Sequence, residues 1–502
     1  MSTDKIGARL AQDPIREIQE FIYRPLLANT NPADFHDMLA VNGAHLVMLE
    51  ECGLMTPERA AILARALLAM EEEGVEDPQS IDPRTEDAYF AFELRLGRAV
   101  GAHEAGFLHV ARSRNDIGAT LDRLRAARLA LQIMSALNAV RGACLEKADA
   151  YAAVVMPGYT HLQPAQPITF GYLLAGYAEA LQRDYQRLAE TWPRIMQGSL
   201  GVAALSGSSF AIDRERTAAL LGFEGVTRNG LDTVASRDFA TELLYASAQL
   251  AVTWSRVVQD FHTFTSDEFS IIGFPDSVAG TSSIMPQKKN PFALEFLRAE
   301  SARILGTLTG ALSAIRSTHF TVSLDAIREG LTDLWPALAR TVQNLELFKQ
   351  VIANVQPRPE LMLQRCLRNF STATELADML VKHQGLSFRE AHHVVGQVVR
   401  LALEAGKTAN EVDAAMVNRA AQDILGKELS IDDDFVSAAL DPIGAVQRRN
   451  FAGGTGPDIL CQTIASARRQ LEQDGRALEL RRQQGVRANA ALRSMLTALA
   501  AR

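Results

Sequence analysis

The residues best suited to chemistry lie in the segment GTSSIMPQKKNPFALEF, at positions 280–296. It contains two adjacent serines and, further on, a lysine and an asparagine that precedes a proline: Ser282, Ser283, Lys288 and Asn290. Because Asn is a favoured N-cap and Pro a favoured first helical residue, the pattern predicts a mobile loop ending at a helix capped by Asn290. The free N–H groups and positive dipole of that terminus, with Lys288 and Asn290, would bind a carboxylate.

The two serines of this segment could enter a site when the loop closes. A lone serine is a weak base, because it must be ionised to remove a proton and the ionised form needs strong electrostatic stabilisation. Lys288 and the N–H groups of the loop could supply that stabilisation. The alternative interpretation is structural: a Ser/Gly turn followed by a capped helix with lysines on its surface.

A second candidate segment is MPGYTHLQPAQPITF, at positions 156–170, which contains Thr160 and His161. The prolines predict an irregular stretch just before a helix that starts near Pro167. A histidine can exchange a proton near neutral pH, so His161 could act as an acid or a base. The alternative is that His161 only donates a hydrogen bond within a turn.

A third candidate segment is ARSRNDIGATLDRL, at positions 111–124. Four residues with polar or cationic side chains come directly before a predicted helix: Arg112, Ser113, Arg114 and Asn115. Guanidinium forks and an amide suit the binding of a carboxylate. The alternative is a helix-capping segment whose arginines are merely solvated.

Helical periodicity dominates the rest of the chain and predicts the elements that must position these segments. In one example the apolar residues fall at steps of three and four: Leu250, Trp254, Val257, Phe261 and Phe264. Such narrow stripes over long segments are typical of helix bundles, and convincing alternating strands are few. The sequence therefore predicts an all-α protein of three helical domains, at 1–110, 111–365 and 366–502, in which the central bundle carries a catalytic loop at 272–291.

Composition, charge and the absence of certain motifs argue against nucleic-acid binding, membrane association and a cofactor. The chain has 502 residues with ordinary globular composition, 47% hydrophobic and 22% charged, and a net charge of -8. An acidic surface argues against nucleic-acid partners and against anionic membranes. No run of about 18 apolar residues occurs, which predicts no membrane span. Sequence motifs that bind nucleotide or metal cofactors, such as a P-loop or HExxH, are absent. We therefore expect no nucleotide cofactor and no metal cofactor.

The expected location is the cytoplasm. The first residues, MSTDKIGARLAQDP, are polar and charged, which predicts no secretory signal. The four cysteines are widely spaced and suit neither a disulfide framework nor a zinc site, so we expect reduced thiols: Cys52, Cys144, Cys366 and Cys461.

The three segments, in this order and on this helical background, resemble the fumarase/aspartase superfamily, and most closely its argininosuccinate lyase branch. The similarity extends from about residue 15 to about residue 465. It is carried by RSRND at 112–116, MPGYTHLQPAQP at 156–167, NGLDTVASRDFATE at 229–242, GTSSIMPQKKNP at 280–291, FSTATELADML at 370–380 and FREAHHVVG at 388–396.

The resemblance implies a fumarate-releasing carbon–nitrogen lyase that needs no cofactor. Ser282 matches the base that removes the Cβ proton, and Lys288 and Asn290 match residues that hold the substrate carboxylate and its aci-carboxylate form. His161 matches a histidine paired with a glutamate, here Glu295. Substrate contacts are expected from a further set: Arg112, Ser113, Arg114, Asn115, Thr160, Ser283 and Met285. The resemblance also implies a homotetramer in which each site combines segments of three subunits.

One stretch departs from the argininosuccinate lyase pattern. That branch carries a polar run of the form YNKDLQEDK, whereas this chain reads TVSLDAIREG at 321–330. Val322, Ile327 and Gly330 stand where the run has its Tyr, Gln and Lys, which hold the substrate. We therefore expect the same reaction on another N-substituted aspartate, an aminopolycarboxylate such as ethylenediamine-N,N'-disuccinate. The alternatives are an argininosuccinate lyase with a rearranged pocket, and a non-catalytic helical scaffold, which the joint presence of the site residues disfavours.

Overall fold

The computed structural model of the protein describes residues 12–28 and 32–502. Residues 1–11, which make up most of the stretch 1–14 on which the prediction of no secretory signal rests, lie outside the described residues. Over the described part helices dominate, and the predicted all-α architecture is confirmed. The strands form only two-stranded sheets.

The N-terminal part is a set of helices that surround the start of the bundle. They are α1 (Arg16–Ile18), a π-helical turn (Gln19–Tyr23), α2 (Arg24–Ala28), α3 (Pro32–Glu51), α4 (Pro57–Glu73), a 3-10 turn (Pro83–Thr85), α5 (Ala88–Val100) and α6 (Ala102–Phe107).

The central part contains the long helices and all eight strands among the described residues. Its helices are α7 (Arg114–Ala150), α8 (Phe170–Ile195), α9 (Arg214–Leu220), α10 (Gly230–Ala235), α11 (Asp238–Thr265), α12 (Phe292–Ile315), α13 (Leu324–Ile327) and α14 (Leu334–Asn354). Its strands are β1 (Val155–Thr160), β2 (Gln163–Thr169), β3 (Gln197–Gly198), β4 (Gly225–Val226), β5 (Ile272–Gly273), β6 (Gly280–Thr281), β7 (Lys289–Asn290) and β8 (Gln356–Pro357). Two 3-10 turns lie at Asp276–Val278 and Glu329–Leu331.

The C-terminal part contains a smaller group of helices and one very long one. They are α15 (Pro359–Arg368), α16 (Ala373–Gln384), α17 (Phe388–Glu404), a 3-10 turn (Ala409–Glu411), α18 (Ala414–Leu425), α19 (Asp433–Leu440), α20 (Pro442–Gln447) and α21 (Pro457–Ala500). Helices α16 to α19 have a core of their own, whereas α21 packs on α3, α4 and α7 and contributes apolar side chains to the main core. The predicted unit 366–502 thus divides its packing between two cores.

The bundle is formed by α7, α8, α11, α12 and α14, and specific contacts give the direction of each helix. Helix α8 runs antiparallel to α7, because Arg123 on α7 donates to the carbonyl of Arg194 at 2.6 Å. Helix α12 runs antiparallel to α11, since Trp254 donates to the carbonyl of Leu297 at 3.2 Å. Helix α14 runs parallel to α7, with Tyr151 donating to the carbonyl of Val355 near both C-termini at 3.4 Å.

These directions give the bundle two ends. The Arg114 end, as we name it, holds the N-termini of α7, α11 and α14 together with the segment 321–330. The Ser282 end holds the N-termini of α8 and α12, the β1–β2 hairpin and the loop 272–291. The apolar stripe predicted on α11 is buried in the core between these ends, as the periodicity indicates. No helix among the described residues is both long enough and apolar enough to cross a membrane.

Candidate active site

The Ser282 loop is a small hairpin. Strand β6 pairs antiparallel with β7, with Gly280 opposite Asn290, so that Ser282 begins the connecting loop. The hydroxyl oxygen of Ser282 accepts hydrogen bonds from the backbone N–H of Met285 at 3.1 Å and of Ile284 at 3.4 Å. Two N–H groups directed at this oxygen would stabilise a negative charge on it.

The prediction that Asn290 caps the following helix is wrong. Pro291 occupies the N-cap position of α12, which begins at Phe292. Asn290 belongs instead to β7, and its side-chain amide donates to the carbonyl of Thr281 at 3.1 Å. The reason is that pairing with β6 holds the backbone of Asn290 in an extended conformation, which postpones the start of the helix.

The adjacent lysines of the hairpin differ in their surroundings. Lys289 donates to the carbonyl of Phe274 at 2.6 Å and to the carboxylate of Asp276 at 2.8 Å, and this ammonium holds the pKa of Asp276 below its ordinary value. Lys288 is exposed, and its side chain forms no hydrogen bond or ion pair with any residue that the structure describes. Lys288 is therefore available to a ligand. Ser283 and Met285 are also exposed on this loop.

The segment that contains His161 is a β-hairpin. Thr160 pairs with Gln163, and the two residues between them, His161 and Leu162, have φ angles of 54° and 58°. Positive φ at both central positions defines a tight turn of the primed type that suits hairpins. Thr160 and His161 are consequently exposed at the tip.

The stretch predicted to be irregular, just before a helix near Pro167, is instead a β-hairpin. Pro164 and Pro167 are accommodated within the two-stranded hairpin, where they pair opposite Tyr159 and Pro157. A two-stranded sheet has only edge strands, which tolerate proline. Helix α8 begins three residues later at Phe170, because Thr169 caps it by accepting from the N–H of Tyr172 at 3.0 Å.

Glu295 lies in the first turn of α12 and is half-exposed. Its carboxylate is 3.8 Å from the imidazole of His262 on α11. No contact joins Glu295 to His161 among the described residues of the chain. The pairing of these two residues therefore stays a prediction.

At the Arg114 end, the start of α7 is organised by a capping box. The N–H of Ser113 donates to the carboxylate of Asp116 at 2.9 Å, and the hydroxyl of Ser113 caps the helix by accepting from the N–H of Asn115. The other oxygen of Asp116 accepts from Gly201 and Ala203 at 2.8 and 2.9 Å, which fixes the adjacent loop. Asn115 donates to the carbonyl of that loop's next residue, at 3.0 Å.

The two arginines of this segment differ in exposure. Arg112 is buried, donates to the side-chain carbonyl of Asn42 at 2.6 Å, and lies beside the ring of Tyr89. Arg114 is partly exposed and lies over the ring of Phe90, with its charge centre 3.7 Å from the ring centroid. Arg112 is therefore part of the packing beneath the segment, whereas Arg114 reaches solvent, and a substrate contact of Arg112 stays a prediction.

The sequence reasoning missed two carboxylates at this end. Glu86 and Asp87 accept from Arg114 at 3.1 and 3.0 Å. Glu86 has a φ of 70°, a conformation that non-glycine residues rarely adopt. A polar pair directly before the apolar helix α5 is a recognisable capping signal, since Asp87 caps α5 by accepting from Phe90. Its nearness to Arg114, however, depends on the tertiary fold.

The structure does not bring the three candidate segments together within one chain. Helix α12 has 24 residues, which corresponds to a length of about 36 Å. It begins beside the Ser282 hairpin and ends beside the segment 321–330. His161 and Ser282 therefore lie at one end of the bundle, and Arg114 and Asn115 lie at the other. One chain in this conformation therefore does not assemble the three segments into a single site. Among the described residues no cluster of His, Cys, Asp or Glu has the arrangement of a metal site.

Comparison with known proteins identifies the family. The family described as "Lyase" matches residues 33–306, more than half of the chain, and "Argininosuccinate lyase C-terminal" matches residues 370–447. Argininosuccinate lyase 1 of Shouchella clausii is 35% identical over 478 residues, which cover 94% of this chain and 96% of that protein. The chain belongs to this lyase family. The argininosuccinate lyase of Methanothermobacter thermautotrophicus is likewise 35% identical, over 88% of this chain and 93% of its own.

Solved structures of similar proteins refine the family assignment. EDDS lyase in complex with formate has a TM-score of 0.86 and 31% identity, covering 97% of this chain and 96% of that one. A variant of EDDS lyase with bound fumarate has the same TM-score and identity. Fumarate lyase from Mesorhizobium sp. BNC1, at 18% identity and a TM-score of 0.72, shares the fold. The resemblance to the fumarase/aspartase superfamily is confirmed, and this lyase is a fumarate-releasing carbon–nitrogen lyase.

Proposed function

We propose that this lyase cleaves an aminopolycarboxylate such as ethylenediamine-N,N'-disuccinate into fumarate and an amine, and that it also catalyses the reverse addition. The observation that carries this substrate class is the segment 321–330. There Val322, Ile327 and Gly330 replace the polar residues that the argininosuccinate lyase pattern uses to hold its substrate. EDDS is the abbreviation of ethylenediamine-N,N'-disuccinate. The similarity to EDDS lyase, which is 31% identical over nearly the whole chain, supports the same substrate class.

The proposed reaction is an anti-elimination that begins at the Ser282 loop. The ionised hydroxyl of Ser282 removes a proton from Cβ of the aspartyl unit, and the adjacent carboxylate takes up the charge as an aci-carboxylate. Collapse of this intermediate forms the double bond of fumarate and breaks the C–N bond, and the nitrogen, protonated as an ammonium in the substrate, takes the electron pair of that bond and leaves as a neutral amine. The N–H groups of Ile284 and Met285, which already donate to the Ser282 oxygen, support its ionisation. Lys288, Asn290 and the N-terminus of α12 would stabilise the doubly charged carboxylate.

The remaining candidate residues complete the proposed site. His161 and Glu295 would support the site as an acid–base pair, with one residue of the pair contributed by another copy of the chain. Ser113, Arg114, Asn115, Thr160, Ser283 and Met285 would contact the substrate. Arg112, which is buried, would hold the segment 111–124 in position by packing beneath it.

We propose that the active protein is a homotetramer with shared sites. The separation of the candidate residues between the two ends of the bundle supports this proposal. So does a row of large apolar side chains exposed on α11 and α12: Tyr245, Val252, Phe296, Leu305 and Leu312. Exposed apolar surface of this kind is typical of contacts between subunits. The unpaired thiols agree with our further proposal that the enzyme works in the cytoplasm.

A second candidate substrate is argininosuccinate. The observation in its favour is that the similar curated proteins, at 35% identity, bear the name argininosuccinate lyase. The Ser282 loop would perform the same elimination on this substrate, and arginine would be the leaving amine.

The deciding experiment supplies ethylenediamine-N,N'-disuccinate and argininosuccinate side by side and follows fumarate by its ultraviolet absorbance, in buffer containing a chelator. We expect fumarate from the first substrate. Fumarate from argininosuccinate alone would contradict the proposed substrate class while leaving the reaction unchanged.

A further inference from the structure

Arg328 lies at the Arg114 end of the bundle. None of the three candidate segments includes this arginine. It follows α13 in the segment 321–330, and its side chain is 21% exposed. One of its nitrogens lies 4.0 Å from the carboxylate of Asp87, and the guanidinium donates no hydrogen bond to any described residue. A guanidinium has five N–H donors, so Arg328 retains nearly all of its capacity to bind an anion.

The surrounding charges explain why Arg328 is left without close partners. Asp87 uses one oxygen to cap α5 and the other to accept from Arg114 at 3.0 Å. Glu86 also accepts from Arg114, at 3.1 Å. Both nearby carboxylates are therefore engaged at close range by Arg114. Their negative charge still offsets part of the cost of holding a second, mostly buried cation beside them.

A neighbouring phenol forms part of the same cluster. Burial raises the pKa of Tyr23 above its ordinary value, Glu86 raises it further, and the positive charge of Arg328 partly opposes the rise. Tyr23 is thus a neutral phenol whose electrostatic surroundings include Arg328 and Glu86. The cluster combines a donor-rich cation and a phenol at a partly exposed position.

The backbone of this segment also explains why its cation lies at position 328. The argininosuccinate lyase pattern has its lysine where this chain has Gly330. A Cβ atom at Gly330 would lie 2.8 Å from Cγ1 of Ile315 and 2.9 Å from the carbonyl oxygen of Asp325. Contacts this short exclude any side chain without movement of the backbone. A cation can therefore be presented from this segment at 328 and not at 330.

We propose that Arg328 binds a carboxylate on the amine portion of the substrate and so selects adducts whose leaving amine is itself an amino acid. This inference rests on the proposed function and deepens it by naming the group that the amine must carry. The guanidinium fork matches a carboxylate in two parallel hydrogen bonds.

The test compares two adducts, ethylenediamine-N,N'-disuccinate and N-butylaspartate, whose leaving amine has no carboxylate. Arg328→Ala is expected to lower kcat/KM for the first adduct about 10- to 100-fold, mainly through KM, because a charged hydrogen-bond pair is lost. Turnover of N-butylaspartate should change by less than about threefold, since no contact to its amine is removed. Arg328→Lys should retain part of the preference. Arg400→Ala, an exposed arginine on α17, serves as the matched control.

A binding measurement separates this inference from the proposed function. Calorimetry with the product amine, ethylenediamine-N-monosuccinate, should show weaker binding to Arg328→Ala than to the wild-type chain. If the wild type releases no fumarate from either adduct, the proposed function fails, and the binding result still decides the role of Arg328. Equal losses on both adducts, or unchanged binding of the product amine, would overturn the inference and leave Arg328 as a structural ion-pair residue.

Discussion

The two ends of the bundle are built in opposite ways. At the Arg114 end, the candidate residues are fixed by a capping box, by the buried carboxylate of Asp116 and by ion pairs to Glu86 and Asp87. At the Ser282 end, the loop is exposed, and beyond its two short strands it is tied down mainly by Lys289. We infer a division of labour in the proposed shared site: the preformed Arg114 end of one copy binds the substrate, and the Ser282 loop of another copy closes over it with the base.

The strongest test of this division concerns the base. Ser282→Ala should lower kcat about 10²- to 10⁴-fold, the range for removing a general base, while the thermal midpoint stays close to that of the wild type. The Ser282 hydroxyl accepts hydrogen bonds from two N–H groups of its own loop, and the side chain is small, so its loss removes little packing. Ser437→Ala, an exposed serine in α19, is the control. Near-normal fumarate release by the first variant would contradict the assignment.

Shared sites can be tested by combining the two ends. Ser282→Ala and Arg114→Ala should each be nearly inactive alone, because each removes a group from every site. Oligomers assembled from both variants should recover activity about tenfold above either one, since some sites then draw each segment from an unaltered subunit. Fumarate release after co-expression measures this. Verified mixed oligomers that stay inactive would show that the site is built in another way.

The adjacent lysines offer a sharper comparison within the loop. Lys288→Ala should lower kcat/KM about 10²-fold through the loss of charge stabilisation. Lys289→Ala should change it less than about fivefold, because Lys289 bonds to the Phe274 carbonyl and to an exposed carboxylate and is not expected to contact the substrate, while the β6–β7 pairing still holds the loop. Steady-state assays of fumarate release by both variants measure these two changes in kcat/KM. The reverse order would mean that the hairpin places Lys289, and not Lys288, beside the substrate.

The smallest expected effects concern two of the capping boxes among the described residues, those that begin α7 and α17. Asp116→Asn should reduce the free energy of unfolding by about 1–3 kcal/mol, because an amide oxygen cannot replace all three backbone hydrogen bonds of the buried carboxylate, and should also raise KM. Ser387→Ala, in the exposed capping box of α17, should cost about 1 kcal/mol and leave KM unchanged. Urea unfolding and fumarate assays measure both quantities. An unchanged KM in Asp116→Asn would mean that the Arg114 end does not depend on this anchor.

Much of the fold was accessible from local sequence. Apolar residues at steps of three and four predict the buried stripe of α11 because helical geometry alone places them on one face. The same reasoning was wrong where pairing between distant residues competes with local preference. Asn290 and Pro291 form a good helix start in isolation, but strand pairing with Gly280 takes Asn290 into β7. The three prolines around His161 indicate a loop, yet both strands of a hairpin are edges and accept them.

The sequence by itself determined the reaction class, because the residue types of the Ser282, His161 and Arg114 segments occur as contiguous motifs. Only the tertiary structure decided where those motifs lie: the Ser282 and His161 segments are at one end of the bundle, and the Arg114 segment is at the other. It also decided which of two similar residues is free, Lys288 rather than Lys289, and it placed Arg328 beside Asp87. Which lysine is available to a ligand, and how far apart the motifs lie, depend on contacts between residues that are distant in the chain. No local sequence pattern contains such contacts.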